Sequence, residues 1–313
     1  MASIAIEPGT TAPHLLSSSR DPGVLAGLED SVLISSEPNN LKAEFFYYKD
    51  PGDGSPVPAN IVSKPETFEQ PSEIATLPVY DIRGNEEQYN LDKTGFQVFK
   101  HESKEKEFLD TSQIENTYYP EIEEILKTAT GATKVFIFDH TIRRQSAILS
   151  ENKDDANVSR VARGPVRRVH IDQTYKAGFD RVRRHLPDEA DELLKGRCQI
   201  INAWRPIKPI LKDPLGVLDA RSVPESDLLA VPLVYPDRVG ETFTVRPNKQ
   251  HRWHYLYKQQ TDEVLLIKCF DSKTDGRARR APHSAFANKQ HEDSAPRESI
   301  EVRALVFHPN DRN

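Results

Sequence analysis

Cysteine is nearly absent from this sequence. The 313 residues hold two, Cys198 and Cys269, each inside an apolar-rich segment (GRCQIINAW and LLIKCFDS), and there is no CxxC pair. That argues against a disulfide framework and a thiolate metal site; two buried free thiols in a reducing, cytoplasmic compartment are expected. Long apolar runs are missing too. Nothing approaches the roughly 18 consecutive apolar residues of a membrane span, so no membrane partner is expected. The opening MASIAIEPGTTAPHLLSSSRDPG lacks a basic stretch followed by an apolar core and does not read as a secretory signal. There is no excess of positive charge either: 42 Lys and Arg stand against 48 Asp and Glu, a net charge of −6. Nucleic acid is therefore not an expected partner, because phosphate binding needs a basic face. Internal repeats and βαβ alternation are also lacking, which leaves no case for a dinucleotide-binding unit.

What remains is a soluble globular composition, with 37% hydrophobic and 29% charged residues. Residues 1–40, rich in Ser, Pro, Gly and Thr, read as a loosely ordered arm, and 41–313 as a single domain. AEFFYYKD (43–50) reads as a first strand, and the proline-rich stretch 51–75 as loop. Strands are expected over 75–84 and 95–103. YYPEIEEILKTATG predicts a helix, with Pro120 in the first turn, Ile122, Ile125 and Leu126 at i, i+3 and i+4, and Gly131 as its stop. A strongly apolar strand follows at 134–146, then short helices over 179–196 broken at Pro187. From residue 197 onward β-rich runs dominate: RCQIINAWRPI, HRWHYLYKQ, DEVLLIKCFDS and SIEVRALVFHP. The pattern is α+β, built on a largely antiparallel sheet with flanking helices, and a jelly roll or other double sheet is its natural closure.

The chemistry-bearing residues begin at RRVHIDQTY (167–175). Side chains at i and i+2 of a strand point the same way, so His170 and Asp172 can reach one ion while Ile171 turns into apolar packing. Two imidazoles and one carboxylate on one face suit a divalent iron that must keep several positions open. The spacing means little alone, since His291–Glu292–Asp293 repeats it within the polar loop ANKQHEDSAPRES. A second histidine far along the chain is needed, and His251, His254 and His283 are the candidates. Downstream of His283, in PRESIEVRALVF, Arg297, Ser299, Glu301 and Arg303 share one strand face. An arginine there suits a bidentate grip on the carboxylate of a dicarboxylate cosubstrate.

The set resembles the iron(II)- and 2-oxoglutarate-dependent dioxygenases, whose double-stranded β-helix carries HxD, a distal His and a later Arg. More closely it resembles the fungal hydroxylase/desaturase group of secondary metabolism (gibberellin desaturase-like, cephalosporin 7-alpha-methoxylase-like). FDHTIRR, VHIDQT, NAWRPI, PLGVLDARS, HRWHYLYKQQTDEVLLIKCFDS, PHSAF and PRESIEVRALVF carry the likeness, in order over roughly 134–308. It implies a jelly-roll core with His170, Asp172 and His283 as iron ligands. It also implies Arg297 with Ser299 as the site for the far carboxylate of 2-oxoglutarate, with Arg303 competing, and dioxygen as the second cosubstrate. The implied substrate is a specialised small molecule, hydroxylated, desaturated or oxidatively cyclised.

Smaller expectations surround this core. Asn202, Trp204 and Arg205 are candidate pocket residues, as are Tyr175 and His140, and His251 is the next choice for the distal ligand. Lys208, Arg205 and Arg277 point to an acidic or zwitterionic substrate, and a homodimer is the default assembly. Two rivals stay open: a jelly-roll metal- or ligand-binding protein, and a cupin-like metalloenzyme without 2-oxoglutarate.

Overall fold

β-Branched and aromatic runs form two sheets in the computed structural model, which describes residues 38–144 and 164–312. The expected N-terminal arm thus lies almost wholly outside the described residues, which belong to one compact unit. The chain begins with β1 (Leu41–Tyr48), β2 (Asn60–Ile61), β3 (Ser72–Asp81) and β4 (Phe96–Lys100). Helix α1 (Tyr119–Thr130) and β5 (Lys134–Arg143) follow, then β6 (His170–Ile171), α2 (Tyr175–His185) and the one-turn α3 (Ala190–Leu193). Next come β7 (Gly196–Pro206), β8 (Leu215–Leu218), β9 (Leu228–Val234) and β10 (Val239–Val245). The last strands are β11 (Trp253–Tyr255), β12 (Glu263–Asp271), β13 (His283–Ala285) and β14 (Ser299–Arg312).

Nine strands form one sheet in the order β1-β3-β11-β8-β13-β6-β10-β9-β2, and five form the other, β4-β12-β7-β14-β5. Pairing is antiparallel except between β3 and β11 and between β2 and β9. The five-stranded sheet sorts its side chains by period two. Ile201, Ala203, Ile300 and Val302 turn to one face and pack on Ile122, Ile125 and Leu126 of α1. Trp204, Leu265 and Ile267 turn to the other and pack against Leu215 and Val217 of β8. One core therefore lies under the helix and another between the sheets.

Helix α1 follows its sequence signals: Pro120 stands in the first turn and Gly131, at φ 71°, closes the helix in the left-handed conformation. A π-helical stretch, Ile114–Tyr118, leads into it. Both cysteines are free and buried, as expected. The β9–β10 hairpin, β8 and β13 were not foreseen. β9 reads LLAVPLV, and its Pro232 argues against a strand, yet Pro232 sits opposite Glu241 in the β9–β10 ladder.

Candidate functional site

Register brings the distant histidines together. In the antiparallel pairing of β13 with β6, His283 lies directly opposite His170, and their ring centroids are 4.5 Å apart. Asp172 follows two residues on, while Ile171 turns away into a cluster with Val182 and Phe270. One donor atom from each of His170, Asp172 and His283 lies within 4.8 Å of the others. Each imidazole is oriented in the same way. His170 Nδ1 donates to the Arg168 carbonyl at 2.7 Å, and His283 Nδ1 donates to the Ala281 carbonyl at 3.2 Å. Both rings therefore keep the Nε2 lone pair for a ligand, the usual outer-shell arrangement of metal-binding histidines. His251 and His254 lie elsewhere: His251 bridges Tyr47 and Asp227, and His254 sits among Tyr80, Tyr89 and Phe96.

The two carboxylate oxygens of Asp172 have different surroundings. Oδ1 is 3.5 Å from His170 Nε2, whereas Oδ2 accepts from Asn202 Nδ2 at 2.9 Å and lies 3.5 Å from Arg303. Burial works against this charge, but His170 and Arg303 outweigh it and hold the Asp172 carboxyl well below the usual range. Burial also opposes protonation of His170, and the Asp172 carboxylate overcomes it, raising that pKa. His283 has no such help: burial, and then the charge of His170, push it down to about 4. A pre-ionised carboxylate and a near-neutral imidazole are the forms that bind a metal.

The two arginines divide by what they already hold. Arg303 donates to Asp139 and to the Thr141 hydroxyl, each at 2.7 Å, besides flanking Asp172. Arg297 is buried and has no carboxylate within 4 Å among the described residues. Its guanidinium donates to the Asp213 carbonyl at 2.9 Å and lies 5.3 Å from the Trp204 ring centre, while Nε has no partner. Burial, then repulsion from Arg143, lowers its pKa to about 9. A buried guanidinium with an unused donor can form charge-assisted hydrogen bonds to an anion. Asp213, which presents the carbonyl, has φ 51°, a conformation uncommon outside glycine. Ser299 is buried opposite Arg143 in the β14–β5 register.

Three expected pocket residues lie away from the triad. Arg205 alternates with Trp204 and points to the α1 side of the sheet. There it donates to Tyr118 Oη and to the carbonyls of His101 and Thr261. His140 pairs with Val302, whose side chain packs on α1, and its ring bonds Tyr119 Oη at 2.7 Å. Tyr175 sends its hydroxyl to Glu225 at 2.8 Å, under the Arg279 guanidinium. Asn202 and Trp204, by contrast, face the site. Lys208 and Arg277, read as substrate cations, are paired with Glu298 and Asp275. Asp139 and Thr141 were missed, although their alternation with Ile142 in FDHTIRR marks a polar stripe on an apolar strand. A bulge of β5 against Arg303 and Ala304 sets Asp139 opposite Arg303.

A family model described as an oxidoreductase/YMDC permease-like domain matches residues 45–307. Among curated relatives, the hydroxylase/desaturase efuI of Hormonema carpetanum is 40% identical over 244 residues, covering 73% of this chain and 82% of that protein. The alpha-ketoglutarate-dependent dioxygenase tstK of Talaromyces stipitatus is 31% identical over 270 residues, covering 84% and 95%. Among solved structures, the iron and alpha-ketoglutarate-dependent endoperoxidase NvfI is similar with TM-score 0.73 and 25% identity, over 86% of this chain and 98% of that one.

Proposed function

We propose, for a chain that belongs to the iron- and 2-oxoglutarate-dependent oxygenases that include fungal hydroxylases and desaturases, that His170, Asp172 and His283 hold the iron(II) and Arg297 receives 2-oxoglutarate. The observation that carries this reading is the pairing of a two-histidine, one-carboxylate set with a buried arginine that lacks an anion. Iron(II), 2-oxoglutarate and dioxygen together supply the oxidation of an unactivated C–H bond, with succinate and carbon dioxide as co-products.

The chain's own residues prepare that chemistry. His170 and His283 offer Nε2 because carbonyls hold their Nδ1 protons. Asn202 and Arg303 occupy Oδ2 of Asp172, so the aspartate offers one oxygen and leaves positions free for cosubstrates. Arg297, two residues before Ser299 at the start of β14, would bind the far carboxylate with that serine, and the flank of Trp204 keeps water from the guanidinium. Arg303, already tied to Asp139 and Thr141, orients Asp172 instead. The two sheets close in this reading as a double-stranded β-helix, and the substrate is a small molecule placed so that one C–H faces the metal.

Anaerobic addition of iron(II) and 2-oxoglutarate tests the assignment. A weak visible charge-transfer band is expected, and a simple binding protein or a cupin-like enzyme without 2-oxoglutarate gives none. Asp172→Ala should abolish both the band and succinate formation; unchanged turnover in that variant would overturn the metal assignment.

A further inference from the structure

Resting on the oxygenase reading, we propose that the cleft between α2 and the β9–β10 hairpin is a substrate site for an anionic group, a carboxylate or acidic enol, recognised by Arg181. The cleft is small, about 70 Å³, room for a charged head group and not for a whole ligand. Its wall includes Asp172 and neither triad histidine, so it adjoins the candidate metal centre at that residue. Arg181 and Arg184 line it from the helix, and Tyr235 and Arg238 from the hairpin.

Most charges around this cleft are already matched. Lys176 pairs with Asp180 at 2.6 Å, and Glu241 accepts from the Thr174 hydroxyl at 2.8 Å. Arg238 pairs with Asp237 at 2.9 Å and stacks on Tyr235 at 3.5 Å. Arg181 differs. Among the described residues no carboxylate lies within 4 Å of it; its polar partner is the Gln173 amide oxygen at 3.4 Å. Its guanidinium rests on the Phe138 ring at 4.9 Å. It is half-buried, and burial lowers its pKa against the pull of Asp139. Asp139 itself is bound to Arg303.

Chemistry then favours an anion at this point. A planar cation held by an aromatic face, with donors unused, gives charge-assisted hydrogen bonds to a carboxylate. The negative charge of Asp172 does not repel such a ligand strongly, because Arg303 offsets it and the metal proposed above would offset it further. Arg184 at the rim adds long-range attraction. The bland competitor is a cation that merely stacks on Phe138.

The test uses full-length protein loaded with Mn(II) and saturating 2-oxoglutarate. Arylalkanoates with two to five methylenes and their primary amides are titrated by calorimetry. Carboxylates should bind wild type, and the matching amides at least tenfold more weakly. Arg181→Met, which keeps an unbranched side chain over Phe138, should lose at least tenfold in carboxylate affinity, and Arg181→Lys should lose less. Equal affinity for acid and amide, no binding of any acid to wild type, or an unchanged Arg181→Met overturns the proposal. The iron–2-oxoglutarate band is recorded on the same proteins. Its absence in wild type counts against the metal reading, whereas its persistence in Arg181→Met separates loss of the cleft from loss of the centre.

Discussion

At the scale of single residues, the site is defined by what each polar atom already holds. Asn202 donates to Asp172 Oδ2, yet its own Oδ1 is buried without a partner. Arg297 Nε is in the same position. These two groups should fail differently. Asn202→Ala removes a hydrogen bond from the proposed ligand Asp172 and should weaken metal affinity about 10- to 100-fold, read by titration with Co(II) or Fe(II). Arg297→Leu should leave that titration unchanged and raise the concentration of 2-oxoglutarate needed for the charge-transfer band. The reverse pattern would exchange their roles. The residue types behind this division were legible in the sequence, because HxD, His283 and the alternating Arg297-Ser299-Glu301-Arg303 stripe are local patterns. What each arginine holds was not legible. Arg303 is matched by Asp139, more than 150 residues away, across a bulged register that no local pattern announces. His140 and Arg205 drew attention as reactive types, but strand parity assigns both to the helix-covered face.

At the scale of elements, helix α2 joins the candidate cleft to the core. Thr174 caps its start by accepting from the Ala177 amide, and basic residues Arg183, Arg184 and His185 fill its last turn, where they oppose the helix dipole. Gly178 lies mid-helix, where glycine is normally unfavourable by about 0.5–1 kcal/mol relative to alanine. The reason is close approach: a Cβ there would stand 2.5 Å from the Phe270 ring on β12. Gly178→Ala therefore gains helix propensity and loses more to overpacking, which costs about 1–3 kcal/mol. A lower denaturant midpoint with unchanged slope is expected, and a rise in stability would show that α2 can lift off the sheet. Helix α1 could be drawn from sequence because its caps and apolar spacing agree. The β9–β10 hairpin could not: Pro232 breaks the strand signature, and its fit depends on the ladder to β10 and on the short parallel pairing with β2.

At the scale of the whole molecule, sheet order converts sequence separation into a site. β6 and β13 are more than 100 residues apart in the chain, and β8 and β10 flank them in the nine-stranded sheet. The same sheet buries a histidine that has no role at the candidate metal centre. His254 on β11 lies among Tyr80, Tyr89 and Phe96, with Nδ1 unpartnered, and burial lowers its pKa from 6.5 to about 4. The unfolded chain therefore takes up this proton first, so folding stability is intact above pH 6.5 and is lost as pH falls towards 4. At about 1.4 kcal/mol per unit, the loss from this one group is about 2 kcal/mol at pH 5 and approaches 3 kcal/mol near pH 4. His170 and His283 also titrate, but comparison of wild type with His254→Phe, both metal-free, cancels their contribution. Denaturant unfolding at pH 7.5 and pH 5 should show a smaller drop in the variant by about 2 kcal/mol. An equal drop in both proteins would mean that water reaches the ring and that the inter-sheet core is open at that end.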